Sequence, residues 1–177
     1  MVNIGERPAE VEDRAVPGHW EGDLITGTEN KSAIGTLVER ATGYVILLHL
    51  LQAHGAVEVQ DAMVEATGSL PANFRRTLTW DQRREMSNHV QIADVTDLDI
   101  YFCDPHSPWQ RGTKENTNGL LRQYFPKATD LSGYHRDYLD FVATQRNRRP
   151  RKRLSWQTPA EKLDQLLSNP PGVVLTA

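Results

Sequence analysis

The chain of 177 residues contains a single cysteine, Cys103. One cysteine excludes an internal disulfide and any zinc site built from several cysteines. The chain also lacks an uncharged apolar run of roughly 18 residues, which is about what a helix needs to cross a bilayer. Its N-terminus is polar and acidic rather than signal-like. From these absences we expect a soluble, intracellular protein.

An excess of positive charge is missing as well, because 20 lysines and arginines stand against 23 aspartates and glutamates. A protein with this balance binds nucleic acid through a local basic patch rather than through its whole surface. Such a patch runs over residues 146–153, where RNRRPRKR contains six cations in eight residues. We predict that Arg148, Arg149, Arg151 and Lys152 contact a nucleic-acid backbone. The alternative is a solvated, disordered charge run.

Hydrophobic periodicity predicts the secondary structure. Apolar runs bounded by turn residues predict five strands, at 20–26, 32–39, 44–51, 77–81 and 99–103. Helical spacing predicts helices at 56–67, 85–95, 113–124, 134–146 and 158–167. The run 44–51 is apolar on both faces and is therefore predicted to be a central strand. The order of the elements as far as residue 146, βββαβαβαα, predicts an α/β fold with a mixed five-stranded sheet flanked by helices. We expect one domain over residues 1–177, with its core at about 15–165.

Two acidic residues lie in or at the end of apolar strands, where a charge needs a partner. Asp23 lies within the first predicted strand and shares a face with Glu21, since side chains alternate along a strand. Asp81 ends the short strand 77–81. If these two strands are neighbours, both acids converge on one edge of the sheet, where α/β sheets place their ligand sites.

A third acid, Glu115, lies near the start of a predicted helix. The 100° step per residue puts Asn118 and Arg122 on the same side of that helix, opposite an apolar face. Lys114, Asn118 and Arg122 are candidates for phosphate contacts, and the alternative is an exposed polar helix face. Three converging carboxylates suit two-metal cleavage of a phosphodiester, and hard oxygen ligands select magnesium or manganese. Each acid taken alone is more often a solvated surface residue.

Several stretches resemble a known family. They are GHWEGD at 18–23, TLVER at 36–40, LTWD at 78–81, YFCDPHSPWQRGTKENTNGLLRQYFPK at 101–127 and NRRPRK at 147–152. The chain is similar to the Asp-Asp-Glu transposases of bacterial insertion sequences, in particular the IS-thirty group, which have the ribonuclease H-like fold of retroviral integrases. The resemblance implies that Asp23, Asp81 and Glu115 form the catalytic, metal-binding triad.

The same resemblance implies a function. It implies Mg²⁺-dependent DNA strand cleavage and strand transfer, with Mn²⁺ able to substitute. The implied partners are transposon-end DNA, target DNA and further copies of the chain, and the implied location is the bacterial cytoplasm.

The sequence departs from the family in two respects. Members usually carry glycine two residues after the second aspartate, whereas this chain has Arg83. Full-length members also carry an N-terminal helix-turn-helix region, and we expect that this chain begins too late to include it. Two alternatives therefore stay open: a catalytically inactive DNA-binding or assembly module, motivated by Arg83, and a nuclease of the same fold that cuts without joining.

Overall fold

A computed structural model describes residues 1–50, 53–81, 84–104 and 112–169, without the side chains of residues 112–115. Six strands form one sheet. They are β1 (Val2–Asn3), β2 (His19–Thr26), β3 (Ala33–Glu39), β4 (Val45–His49), β5 (Thr77–Trp80) and β6 (Asp99–Phe102). Five helices accompany them: α1 (Ala56–Gly68), α2 (His89–Thr96), α3 (Gly112–Leu121), α4 (Arg136–Asn147) and α5 (Pro159–Ser168).

The sheet is mixed, with the order β1-β6-β5-β2-β3-β4. β2, β3 and β4 form an antiparallel meander, while β2, β5, β6 and β1 run parallel. The predicted α/β class and mixed sheet are confirmed. The predicted number of five strands is one too few, because β1 is only two residues long and has no periodicity from which it could be recognised.

β4 lies at an edge of the sheet, so the prediction of a central strand was wrong. The strand is apolar on both faces because α1 packs on one face of β4 and α4 packs on the other. Burial of both faces does not require a neighbouring strand on both sides. Leu51, the last residue of the predicted strand, lies outside the described residues.

The helices cover both faces of the sheet and create two apolar layers. On one face, Val59 and Met63 of α1 and Ile92 of α2 pack against Trp20 and Leu78. On the other face, residues of α3 and α4 pack against β2, β3 and β4, and this layer includes Ile25, Val38, Val45, Leu121, Leu139 and Val142. Even and odd positions of β2 therefore face different helical layers, as strand alternation requires.

Helix boundaries agree with the sequence in part. α5 begins as predicted, with Pro159 in its first turn, and Thr158 and Glu161 form a capping box. The helix predicted at 85–95 is a 3₁₀ turn over Arg84–Met86 followed by α2. α3 begins at Gly112, so Thr113 lies inside the helix and is not its N-cap. None of the helices in the described ranges is long and apolar enough to span a membrane.

Side chains from α1 and α4 cover part of the free edge of β4. The amide of Asn147 donates to the carbonyl oxygen of Val45 and accepts from its N–H, both at 2.8 Å. Farther along the edge, His49 Nε2 lies 3.1 Å from the carbonyl oxygen of Tyr134. Arg136 of α4 forms an ion pair with Glu65 of α1, and the two helices lie on opposite faces of the sheet.

Candidate functional site

Asp23 and Asp81 are brought together by the parallel pairing of β2 and β5. Glu21 pairs with Thr79, so the register extended by two residues places Asp23 beside Asp81. Neighbouring strands lie about 4.8 Å apart, and a two-residue step keeps both acids on the same face. Asp81 follows directly after β5 and is 8% exposed. The prediction that the two strands are neighbours is therefore confirmed.

α3 contacts Asp23 through Asn118. The Asn118 amide Nδ2 donates to Asp23 Oδ2 at 3.0 Å, and Asn118 Oδ1 accepts from the Thr36 hydroxyl at 3.3 Å. The same hydroxyl lies 3.3 Å from the backbone carbonyl oxygen of Asp23. Asn118 therefore orients one carboxylate of the candidate site, a contact that the sequence did not indicate.

Glu115 and Lys114 lie in the first turns of α3. Their side chains are outside the described part of the structure. The backbone nevertheless places position 115 three residues before Asn118, on the side of the helix where Asn118 meets Asp23. Among the described side chains, no three histidine, cysteine, aspartate or glutamate residues form a metal-binding group. The triad of Asp23, Asp81 and Glu115 stays a prediction.

Glu21 shares a strand face with Asp23 but has a different partner. It is 2% exposed, and its carboxylate forms an ion pair with Arg40. Arg40 in turn donates from Nε to the carbonyl oxygen of Val11 at 3.0 Å. The pair neutralises the acid that lies next to the candidate site along β2.

Arg122 is one helical turn after Asn118 and points back toward the end of β2. Its guanidinium donates to the carbonyl oxygen of Thr26 at 3.1 Å. Partial burial lowers the pKa of Arg122 from its ordinary value. The predicted phosphate contact of Arg122 stays a prediction, while the bond to Thr26 shows that this side chain also ties α3 to β2.

The basic stretch after α4 is ordered in its backbone rather than a disordered tail. It continues from α4 into a 3₁₀ turn over Lys152–Leu154. Arg148, Arg149 and Lys152 are exposed and Arg151 is half-buried. Each of the four is at least partly exposed, and their contact with a nucleic-acid backbone stays a prediction.

Arg146 is the buried member of this stretch, and the sequence analysis did not single it out. It is 2% exposed and belongs to the same helical face as Leu139 and Val142. Its spacing of four and seven residues from those apolar positions is the signal that could have predicted burial. Arg83, the departure from the family pattern, lies outside the described residues.

The donors at the candidate site suit a hard divalent cation. Asp23 and Asp81 offer carboxylate oxygens at the end of a parallel strand pair, and Asn118 fixes the orientation of Asp23. Oxygen ligands of this kind bind Mg²⁺ or Mn²⁺ in preference to soft metals.

Comparison with known proteins agrees with this arrangement. The model of the integrase core domain family matches residues 13–108. The transposase for insertion sequence element IS1086 of Cupriavidus metallidurans is 54% identical over 173 residues, covering 96% of this chain and 50% of the relative. The transposase InsI for insertion sequence element IS30C of Escherichia coli is 48% identical over 173 residues, covering 98% and 43%. The chain thus spans about half the length of the curated relatives it matches.

The fold has a counterpart among solved structures. One chain of the cryo-electron microscopy structure of the simian T-cell lymphotropic virus intasome, in complex with PP2A regulatory subunit B56 gamma, matches with a TM-score of 0.66. The match covers 90% of this chain and 57% of that one at 18% identity. The shared architecture is the ribonuclease H-like fold that the family resemblance implied. This chain belongs to the integrase core domain family and groups there with the IS30-type transposases of bacterial insertion sequences.

Proposed function

We propose that this chain is the catalytic domain of a DNA transposase, which cleaves DNA at the ends of an insertion sequence and joins those ends to target DNA. The observation that supports the proposal is the parallel pairing of β2 with β5, because this register, continued by two residues, would bring Asp23 next to Asp81. An integrase core domain implies a divalent metal in general. We further propose that this ion is Mg²⁺, with Mn²⁺ able to replace it, and that the reaction takes place in the bacterial cytoplasm.

Asp23, Asp81 and Glu115 are the residues that would hold the metal. When bound there, divalent ions would supply activation of the attacking oxygen and stabilisation of the leaving oxygen of a phosphodiester. The described side chains around the site position its ligands. Asn118 holds the Asp23 carboxylate, and Thr36 holds Asn118. Fixed ligands of this kind raise the rate because the site needs little rearrangement when DNA arrives.

We assign DNA binding to cations of α3 and of the basic stretch. Lys114, Arg148, Arg149, Arg151 and Lys152 would neutralise backbone phosphates without reading sequence. The active complex would contain several copies of the chain together with transposon-end and target DNA.

The test is a strand-transfer assay with a labelled duplex that carries the terminal sequence of the element, in the presence of Mn²⁺ or Mg²⁺. Wild type is compared with Asp81→Asn, which keeps the size of the side chain and removes its charge. Asp94→Asn is the matched control, because Asp94 is exposed on α2, which covers the opposite face of the sheet.

We expect joined products from wild type and from Asp94→Asn, and none from Asp81→Asn. Equal activity in all three proteins would remove Asp81 from the reaction. If the DNA is cleaved but never joined, the protein is a nuclease of the same fold and not a transposase.

A further inference from the structure

A basic cavity lies on the far side of α3 from Asp23. Its volume is about 290 Å³, well above the roughly 10–15 Å³ that such a cavity needs to hold one water molecule. Five cations line it, together with Asn116 and Thr117 of α3, and we call it the arginine pocket; the cations are Arg14, Arg146, Arg151, Lys152 and Arg153. Asn116 and Asn118 are separated by about 200° around the helix, so the pocket and the carboxylate site are distinct.

Arg146 is the buried cation among the five that line the arginine pocket. It is 2% exposed, and its Nε has no hydrogen-bond partner among the described residues. Burial, and then repulsion from Arg151 and Arg149, lowers the pKa of the Arg146 guanidinium to about 10. The group is thus still charged at neutral pH. A buried charge with an unsatisfied donor is costly unless an anion accompanies it.

The protein supplies little negative charge to this cavity. No acidic residue is among the described residues that line it. Glu39 attracts Arg153 electrostatically, but the Glu39 carboxylate already accepts from the backbone N–H groups of Gly18, Ala41 and Thr42. In the described ranges, neither Arg146 nor Arg151 forms an ion pair with a carboxylate.

We propose that the arginine pocket binds a phosphate group. Guanidinium groups match the geometry of phosphate oxygens and bind them in pairs of hydrogen bonds, and the amide of Asn116 adds a neutral donor. The phosphate can come from the backbone of DNA or from a free phosphate compound. The proposal needs no metal and no catalysis, so it stands independently of the reaction proposed above.

Titration calorimetry with inorganic phosphate, in a phosphate-free buffer containing EDTA, tests the site directly. Wild type should bind phosphate. Arg146→Met should raise the Kd for phosphate about tenfold or more, because it removes the buried charged donor. Lys127→Gln is the control, because Lys127 is exposed and does not line the pocket. Arg151→Gln is the second variant, since Arg151 is half-buried and its loss leaves the helical core intact.

The outcomes separate cleanly. Weaker binding by Arg146→Met or Arg151→Gln, with Lys127→Gln unchanged, supports the pocket. If Arg146→Met fails to fold, as judged by circular dichroism, Arg151→Gln alone decides. Unaltered phosphate affinity in the folded pocket variants overturns the proposal, as does a wild type that binds no phosphate at millimolar concentration.

A second measurement identifies the source of the phosphate. The affinity for a fluorescent DNA duplex is followed as salt is raised, without metal. If the bound group is a DNA phosphodiester, Arg151→Gln should reduce the slope of log K against log salt by about 0.9, the value of one phosphate contact. An unchanged slope together with lost phosphate binding assigns the pocket to a free phosphate compound.

Discussion

Gly22 lies between the ion-paired Glu21 and the candidate ligand Asp23, and its replacement by alanine should destabilise the fold. A Cβ built at Gly22 would lie 2.1 Å from two ring carbons of Trp80 and 3.2 Å from Leu37. Normal carbon–carbon contacts are about 3.5–4.0 Å, so the methyl group would overlap the indole by more than 1 Å. Trp80 is fully buried and cannot swing away.

The expected cost of Gly22→Ala is about 3 kcal/mol, the upper end of the usual range for overpacked cores. For a domain of this size, each kcal/mol lowers Tm by about 2–4 °C, so the variant should melt about 6–12 °C below wild type. Differential scanning calorimetry measures the shift. Because β2 and β5 must separate to admit the methyl group, strand transfer should fall as well.

Gly119→Ala is the control for the change from glycine to alanine itself. A Cβ at Gly119 would meet no described atom within 4 Å, and alanine is the better helix former by roughly 1 kcal/mol. This variant should melt at or slightly above the temperature of wild type. If Gly22→Ala melts within 2 °C of wild type (about 1 kcal/mol or less), the close packing of β2 against Trp80 is refuted.

Four further predictions follow from contacts described above. Asn118→Ala should slow strand transfer about tenfold or more, because the carboxylate of Asp23 loses a charge-assisted hydrogen bond; an equal rate would show that this contact does not matter. Arg40→Ala should lower the free energy of unfolding by about 3–5 kcal/mol in urea denaturation, since it leaves Glu21 buried without its ion pair, and a loss below about 1 kcal/mol would contradict this. Burial lowers the pKa of His19 from 6.5, so the unfolded chain binds the proton more tightly than the folded one. Stability should therefore fall as pH drops through 6.5 toward the lower folded pKa, and the melting temperature of His19→Gln should depend less on pH over that window. Finally, Mg²⁺ or Mn²⁺ should raise Tm, because an ion at a hundredfold excess over its Kd adds about 2.7 kcal/mol to the free energy of unfolding. If the melting curves with the metal and with EDTA are the same, the site is not formed before DNA binds.

The sequence predicts most of the fold, because its signals are local and strong. Strand-like runs separated by short turns predict β2 and β3, which pair in the meander, and the helical spacing of Val59 and Met63 identifies the face of α1 that packs on the sheet. The predicted meeting of the strands that carry Asp23 and Asp81 is confirmed in the pairing of β2 with β5.

Other features depend on tertiary contacts that no local pattern contains. The position of β4 at the sheet edge depends on which strand pairs with β2, and the apolar pattern of β4 reports only that helices cover it. The polar face of α3 predicts a working surface, but it cannot tell that Asn118 turns inward to Asp23. A run of cations predicts that their side chains are exposed, but Arg146 is buried because it lies on the apolar face of its helix.

The partly covered edge at β4 limits strand pairing between two molecules of this domain. An uncovered strand offers its backbone groups to any passing strand, and proteins suppress this hazard by covering or interrupting the edge. Asn147 occupies the outward N–H and carbonyl of Val45 as a neighbouring strand would, and the pair of Glu65 and Arg136 reaches across from both faces. Exposed ion pairs add little energy, so this bridge acts mainly as a steric barrier. A continuous intermolecular sheet along β4 is therefore disfavoured at Val45, whose outward N–H and carbonyl are already occupied.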